Sequence, residues 1–549
     1  MTMKDSPQVA AHRIALSTDL YELTMGASYL ALGMTGPATF SLFVRKLPAQ
    51  RSFLVAAGVE EAIARLTSQA FDPDDAAYLV STGCLAPREA EQLVSTRFTG
   101  DAWAVREGRA IFANEPLLEV CAPIVEAQLA ESILLNAIHY PTLVATKAAR
   151  CVAAAPGKTI VDFGLRRTPG IEAAVVVARA CWLAGFAATS NVLAGRELGI
   201  PVSGTVAHSF IEACPSESEA FRAYASTASG PITLLVDTYD TVTGVAHAIG
   251  VAKEMASRGV RIAALRLDSG DLDALSRRAR AMLDEADLAG VRIFASGGLD
   301  EYELARLTRA RAPIDGYGVG TRIGMSADAP VLDLAYKIVQ YDGRPCLKLS
   351  EEKATLVGPK QVWRRRAADG RFAEDLVAAR DEPSPGAHWE PLLEPIVCDG
   401  RPVRTPSLEQ LRARHREEMA AIPPALLEVE GGAQYMVRPL GRSRGSPARR
   451  GGRRAPARGS RMIALGPGDA LVIVDVQNDF LPGGNLAVPR GDEVVPVLNG
   501  WIDAAVAAGV PVLPPGIGIP KSTALSSIAE QRGRRIASEG RGVPSSHRA

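Results

Sequence analysis

The stretch GIPVSGTVAHSFI, Gly199 to Ile211, is an apolar run broken by glycine and threonine that ends on a histidine among small residues. It reads as a buried strand delivering His208 to its carboxyl end. Similar runs are KTIVDFGLRR from Lys158, PITLLVDTYD from Pro231, RIAALRLDSGD from Arg261, VRIFASGGLD from Val291 and IDGYGVGTR from Ile314, with a shorter one from Phe186 to Ser190. Each is apolar and β-branched, stops at a polar cluster and is followed by a helix-like segment. Strand-then-helix units in series predict a parallel α/β sheet or barrel, with all the polar clusters on one face.

Composition narrows the function. With 61 basic and 61 acidic side chains in 549 residues, the net charge is zero, which argues against a nucleic-acid or membrane-surface partner. Seven cysteines, at 84, 121, 151, 181, 214, 346 and 398, show no CxxC spacing. They suit reduced core thiols in a cytoplasmic protein rather than a metal cluster. The amino-terminal segment lacks the apolar core of a signal peptide, and no run approaches the ~18 apolar residues of a membrane helix.

Ahead of the barrel, Ser17-Thr18-Asp19 offers helix caps, and Leu20, Leu23 and Met25 begin an apolar face with Tyr21 in its first turn. ATFSLFVRKL reads as a strand ending at Arg45-Lys46; those cations could clamp a polyphosphate or simply mark a solvated edge. Helices are expected over Val59–Leu66 and Pro73–Leu79, strands from Phe98 to Cys121, and a long helix from about Glu126 to Ala154 with a kink at Pro141.

In βα barrels the carboxyl ends of the strands line the active site. Here those ends carry Asp162, Phe163, Arg166 and Arg167; Thr205 and His208; Asp237 and Asp240; Arg266, Asp268 and Asp271; Ser296-Gly297-Gly298; and Gly320-Thr321. The two glycine turns leave backbone N–H groups free for an anion. Arginines offer planar contacts to carboxylate or pyrophosphate, or else pair with neighbouring aspartates. Phe163 or Tyr21 could stack on an aromatic ring, Asp268 suits ribose hydroxyls, and Asp271 is equally a helix cap. His208 is either a hydrogen-bonded core residue or a nucleophile toward phosphoryl groups, with Asp237 to orient its ring. The set suits a phosphorylated sugar.

STDLYELTM, TKAAR, DFGLRR, ATSNVLAGRELGIPVSGTVAHSFI, LLVDTYDT, RLDSGDL, ASGGLDE, GVGT and KLSEEKATLVGPKQVWR together resemble nicotinate phosphoribosyltransferases over about residues 15 to 430. The resemblance implies a type II phosphoribosyltransferase fold. Residues 1–135 and 341–436 would form a mixed α/β domain, and 136–340 an irregular βα barrel. It also implies transfer of phosphoribose from phosphoribosyl pyrophosphate to nicotinate, with ATP hydrolysis and Mg²⁺, in a homodimer. The alternatives are a relative acting on nicotinamide or quinolinate, or an inactive remnant of a bifunctional amidase/transferase. On that resemblance His208 is the phosphorylated histidine and Asp237 its carboxylate partner. Tyr21, Phe163, Arg166, Thr205 and Arg266 surround nicotinate, and Asp268 holds the ribose. Gly297, Gly298, Gly320 and Thr321 hold the 5-phosphate, and Arg45 reaches pyrophosphate or ATP across the dimer.

Residues 437–461, rich in arginine, glycine and proline and without an acid, read as a disordered linker. From Ala470, ALVIVDVQNDFLPGG resembles the opening of a nicotinamidase, an αβ hydrolase whose first aspartate would be Asp475. No cysteine follows Cys398, so residues 462–513 are expected to be an inactive fragment and 514–549 a disordered tail.

Overall fold

The computed structural model describes residues 15–439 apart from 229, 348–356 and 431, together with a few short pieces between 471 and 513. The chain divides into two compact units, Met1–Arg444 and Gly445–Ala549. In the second, Leu471–Val472 pairs in parallel with Val512–Leu513. Asp475 and nearly all of the amidase-like segment lie outside the described residues, and the hydrolase-like fragment gains no support.

The first unit holds a seven-stranded antiparallel sheet. Its strands run in the order Arg344–Pro345, Leu334–Tyr341, Pro37–Val44, Pro116–Pro123, Asp101–Val105, Leu393–Cys398 and Arg401–Pro402. Both ends of the unit's sequence therefore build one sheet. Its return begins at Leu334, before the expected boundary at 341, because Leu334–Tyr341 pairs with Pro37–Val44. Pro37–Val44 is central in the sheet and buried along most of its length, so Arg45 does not end an edge strand. Beside this sheet, Trp389–Pro391, Lys360–Arg366 and Phe372–Ala379 form another, joined in parallel by Val437–Pro439. Those last three residues were expected in the linker; 440–461 lie outside the described residues.

The remaining layer is a curled parallel sheet in the order Ala188–Thr189, Thr159–Asp162, Gly316–Val319, Arg292–Ala295, Ile262–Leu267 and Ile232–Leu235. Strands covered on both faces need near-continuous apolar runs, which is why these segments were legible. The segment at Gly199–Val206 departs from expectation. It makes one bridge, Val202 to Thr189, with bonds from Thr189 N to Pro201 O (3.0 Å) and from Ser203 N to Thr189 O (2.9 Å). Pro201 has no N–H to extend a ladder, and Val202 is exposed. Among the described residues no ladder joins this segment to Ile232–Leu235, so the sheet keeps an open seam.

The predicted long helix is Ile124–Leu129 followed, after Ala130, by Glu131–Ala154 with Pro141 inside it. Leu134, Ile138 and Leu143 pack in the core of the antiparallel sheet, whereas Val144, Ala148 and Cys151 pack in that of the parallel sheet. Lys147 and Arg150, in the second half, enter a buried ionic network. Lys147 Nζ lies 2.6 Å from Glu301 Oε2 and 2.8 Å from Asp328 Oδ1; Arg150 Nε lies 3.2 Å from Glu301 Oε1, and Arg51 Nε 2.9 Å from Asp328 Oδ2. Burial pushes the Asp328 carboxyl up, but Arg51 and Lys147 outweigh it and hold it well below the usual range.

Removing one member of a buried ion pair leaves a desolvated charge and costs about 3–5 kcal/mol. Lys147→Met is expected to lower stability by about that much in denaturant unfolding. A loss below about 1 kcal/mol, the scale of a surface pair, would show that the network does not join the layers.

Candidate active site

Arg266, near the end of the strand Ile262–Leu267, is the hub of the mouth formed by the strand ends. Its Nε donates to Ser296 Oγ (2.7 Å), Nη1 to Thr205 Oγ1 (2.8 Å) and Nη2 to Asp268 Oδ1 (2.6 Å). Two segments distant in sequence, at Thr205 and Ser296, are thereby drawn to one guanidinium, and Ser296 Oγ also donates to Asp268 Oδ1. The guanidinium lies 5.3 Å from the centre of the Phe163 ring, which tilts against Phe294. Gly318 gives that ring its room, since a Cβ there would sit 2.4 Å from Phe163 Cε2. A cation near an aromatic face combines charge with a flat apolar surface, the chemistry that suits a planar anionic ring.

His208 is the first residue of the helix His208–Glu212 and is partly exposed. Its Nδ1 lies 3.2 Å from Thr238 Oγ1, and its Nε2 lies 3.9 Å from Asp268 Oδ2. Asp237 was expected to orient the ring and does not. Its Oδ2 instead accepts from Asp268 N (2.8 Å) and Ser269 Oγ (2.7 Å), while Oδ1 is buried without a partner. The reason is steric register: Asp237 turns inward along the strand end toward the neighbouring strand's loop, leaving the next residue, Thr238, to face the open seam. Thr238 was missed because a lone hydroxyl carries no charge or periodicity to mark it.

The two glycine turns are neighbours, because Arg292–Ala295 and Gly316–Val319 pair in parallel. Gly297 (φ +89°) and Gly298 (φ +66°) both take the left-handed backbone that strains a side chain; a Cβ at Gly297 would in addition stand 1.8 Å from Asp268 O, whereas at Gly298 it would meet open space. Among the described residues the N–H groups of Gly297, Gly298 and Thr321 donate to no protein acceptor, which leaves them for an anion. Gly320 precedes the short helix Thr321–Gly324.

Other expected residues divide by role. Arg166 and Arg167, on the turn Leu165–Arg167, are exposed and make no ion pair among the described residues. Asp162 is buried and accepts from Gly164 N and Thr189 Oγ1, and burial raises its carboxyl. Asp240 and Asp271 cap the helices Thr241–Ala256 and Leu272–Glu285. Arg45 pairs with Asp333 at 2.8 Å. Tyr21, half exposed on the helix Leu20–Ala31, has its phenol pushed up by burial and by Glu131 and Glu22. Among the described residues, neither Tyr21 nor Arg45 bonds to a residue of the mouth.

No group of three or more metal-ligating side chains occurs among the described residues. A Mg²⁺ ion carried by substrate phosphates needs only one or two carboxylates. The orphaned Asp237 Oδ1 fits that requirement.

Residues 16–139 match the nicotinate phosphoribosyltransferase N-terminal domain, and 159–341 the nicotinate phosphoribosyltransferase family. A nicotinate phosphoribosyltransferase of Mycobacterium tuberculosis is 48% identical over 432 residues, covering 78% of this chain and 92% of the relative. One from Bacillus subtilis is 42% identical over 378 residues, covering 67% and 77%. The crystal structure of human nicotinic acid phosphoribosyltransferase superposes with a TM-score of 0.67 at 29% identity, covering 77% of this chain and 97% of that one.

Gly297→Ala is expected to displace Asp268 and weaken ribose 5-phosphate binding far more than Gly298→Ala; equal losses in calorimetry would contradict the cradle. A second expectation concerns Glu22, which is fully buried. Its Oε1 accepts from Ser132 N and Oγ, and its Oε2 is unpartnered. Burial raises this carboxyl from 4.5 to about 7. Between those values the unfolded chain ionises while the folded one stays protonated, so stability falls as pH rises, by at most about 1.4 kcal/mol per unit. Glu22→Gln should flatten that part of the melting profile relative to the parent.

Proposed function

This chain belongs to the nicotinate phosphoribosyltransferase family, and we propose that it forms nicotinate mononucleotide and pyrophosphate from nicotinate and phosphoribosyl pyrophosphate, in NAD salvage. The observation that carries the reading is the convergence of Phe163, Thr205, Arg266, Asp268 and Ser296 beside two glycine turns with free N–H groups. Nicotinate would lie against Phe163, its carboxylate toward Arg166 and the Arg266–Thr205 pair. Asp268 would take the ribose hydroxyls, and Gly297, Gly298, Gly320 and Thr321 the 5-phosphate.

The ring nitrogen of nicotinate attacks C1 of the ribose as the bond from C1 to the pyrophosphate oxygen breaks, and the electron pair leaves with pyrophosphate. The ring carbon passes through an oxocarbenium-like centre, and cations on the departing oxygens stabilise it. Asp237 and Asp268 are the carboxylates that would hold a Mg²⁺ ion, which would supply further charge neutralisation for the phosphates.

His208 supports coupling to ATP. In the tautomer whose Nδ1–H donates to Thr238 Oγ1, the Nε2 lone pair is free to attack the terminal phosphorus of ATP, releasing ADP; water later takes the phosphoryl group. Asp237 acts in this arrangement through the loop Asp268–Ser269 rather than by touching the ring. A homodimer would let Tyr21 and Arg45, neither of which bonds to a mouth residue of its own chain among the described residues, serve the mouth of a second copy. Exposed apolar side chains favour that association: Leu20 and Tyr21 on the first helix and Leu32 at its end, and Ile171, Val192 and Tyr239 on segments that follow strands of the parallel sheet.

Purified protein should release nicotinate mononucleotide only when nicotinate and phosphoribosyl pyrophosphate are both supplied, and a substrate panel should exclude nicotinamide and quinolinate. His208→Ala should keep slow turnover but lose stimulation by ATP and the acid-labile phosphate seen by mass spectrometry. Retained phosphate in that variant would reject His208 as the acceptor.

A further inference from the structure

Arg322 is the second residue of the short helix that follows Gly320, and its Nη1 donates to Asp300 Oδ2 at 2.6 Å. Asp300 closes the other glycine turn. Its Oδ1 accepts from Tyr302 N (3.2 Å) and Glu303 N (3.1 Å), capping the helix Glu301–Arg309. The ion pair is therefore a strap between the two turns. Its ends differ in exposure: the Asp300 side chain is 7% exposed and that of Arg322 51%. Four of the guanidinium's five N–H groups donate to no described residue.

Two consequences follow from charge. A buried carboxylate beside a nest of free N–H groups opposes any anion placed there, and Arg322 cancels it. The same guanidinium, held at one corner, keeps donors for a planar two-point contact with phosphate oxygens.

We propose that Arg322 is a binding residue of the subsite for the sugar 5-phosphate, anchored by Asp300 so that its free N–H groups face an anion seated on the two glycine turns. This rests on the phosphoribosyl-transfer reading above and adds a side-chain cation to a subsite otherwise made of backbone. Asp300 is then a positioning residue. The contact distinguishes a phosphorylated sugar from its unphosphorylated form.

The test is steady-state kinetics with competition in the full-length protein. Arg322→Gln should raise KM for phosphoribosyl pyrophosphate by roughly ten- to a hundredfold, the scale of a charge-assisted hydrogen bond. KM for nicotinate and kcat should change little, and inhibition by ribose 5-phosphate should weaken by a similar factor while inhibition by pyrophosphate is kept. Arg322→Lys, which keeps the charge without the planar fork, should fall between parent and Gln variant; it also serves if the Gln variant melts early. Unchanged affinity for ribose 5-phosphate in both variants overturns the proposal, as does a parallel rise in both KM values or a loss confined to pyrophosphate. If the parent protein makes no nicotinate mononucleotide, the functional reading fails instead, whereas ribose 5-phosphate binding still reports on Arg322 by itself.

Discussion

One buried ionic network fixes the relation between the two layers of the first unit. Lys147, Arg150 and Arg51 are three cations removed from water, answered chiefly by Glu301 and Asp328. Arg51 spends a further bond on Leu143 O and Arg150 on Gln50 O, so backbone carbonyls complete what the carboxylates leave. Such a set tolerates little displacement, because any separation leaves a charge in an apolar interior. Glu301 directly follows one glycine turn, and Asp328 stands beyond the short helix Thr321–Gly324 that follows the other. The constraint that docks the long helix therefore also sets where both turns stand.

The mouth above that network is satisfied internally before any ligand arrives. Arg266 bonds to a hydroxyl on each of two segments and to Asp268, and Asp268 receives Ser296 as well. These bonds hold donors and acceptors in place rather than leaving them to search, which lowers the ordering cost of binding. Open donors are the backbone N–H groups of the glycine turns and the exposed guanidinia of Arg166 and Arg167. Locked and open groups lie side by side, with the locked ones supplying shape and the open ones charge.

The seam of the parallel sheet has a role in this division. Where Gly199–Val206 fails to make a ladder, its backbone is free to carry Thr205 across to Arg266 and His208 to Thr238. A regular strand would have alternated these side chains between the two faces. Irregularity at this one place is what puts a hydroxyl and an imidazole on the same side.

The sequence alone determined the parallel sheet, through apolar runs that both-sided burial requires, and it determined most of the residues at the strand ends. Arg266, Asp268 and the glycine turns were identifiable because strand polarity tells which end of a run is the mouth. Family motifs determined the transferase reading. Only tertiary structure decided who touches whom. Asp237 and Thr238 are adjacent in sequence, yet register turns one toward the neighbouring loop and the other toward His208. Nothing in the local sequence marks Arg322, whose partner Asp300 stands on the neighbouring turn. Pairing of this kind depends on distances between segments that no local pattern encodes. Hydrophobic periodicity records which face is buried, whereas hydrogen-bond partners follow from how separate faces meet.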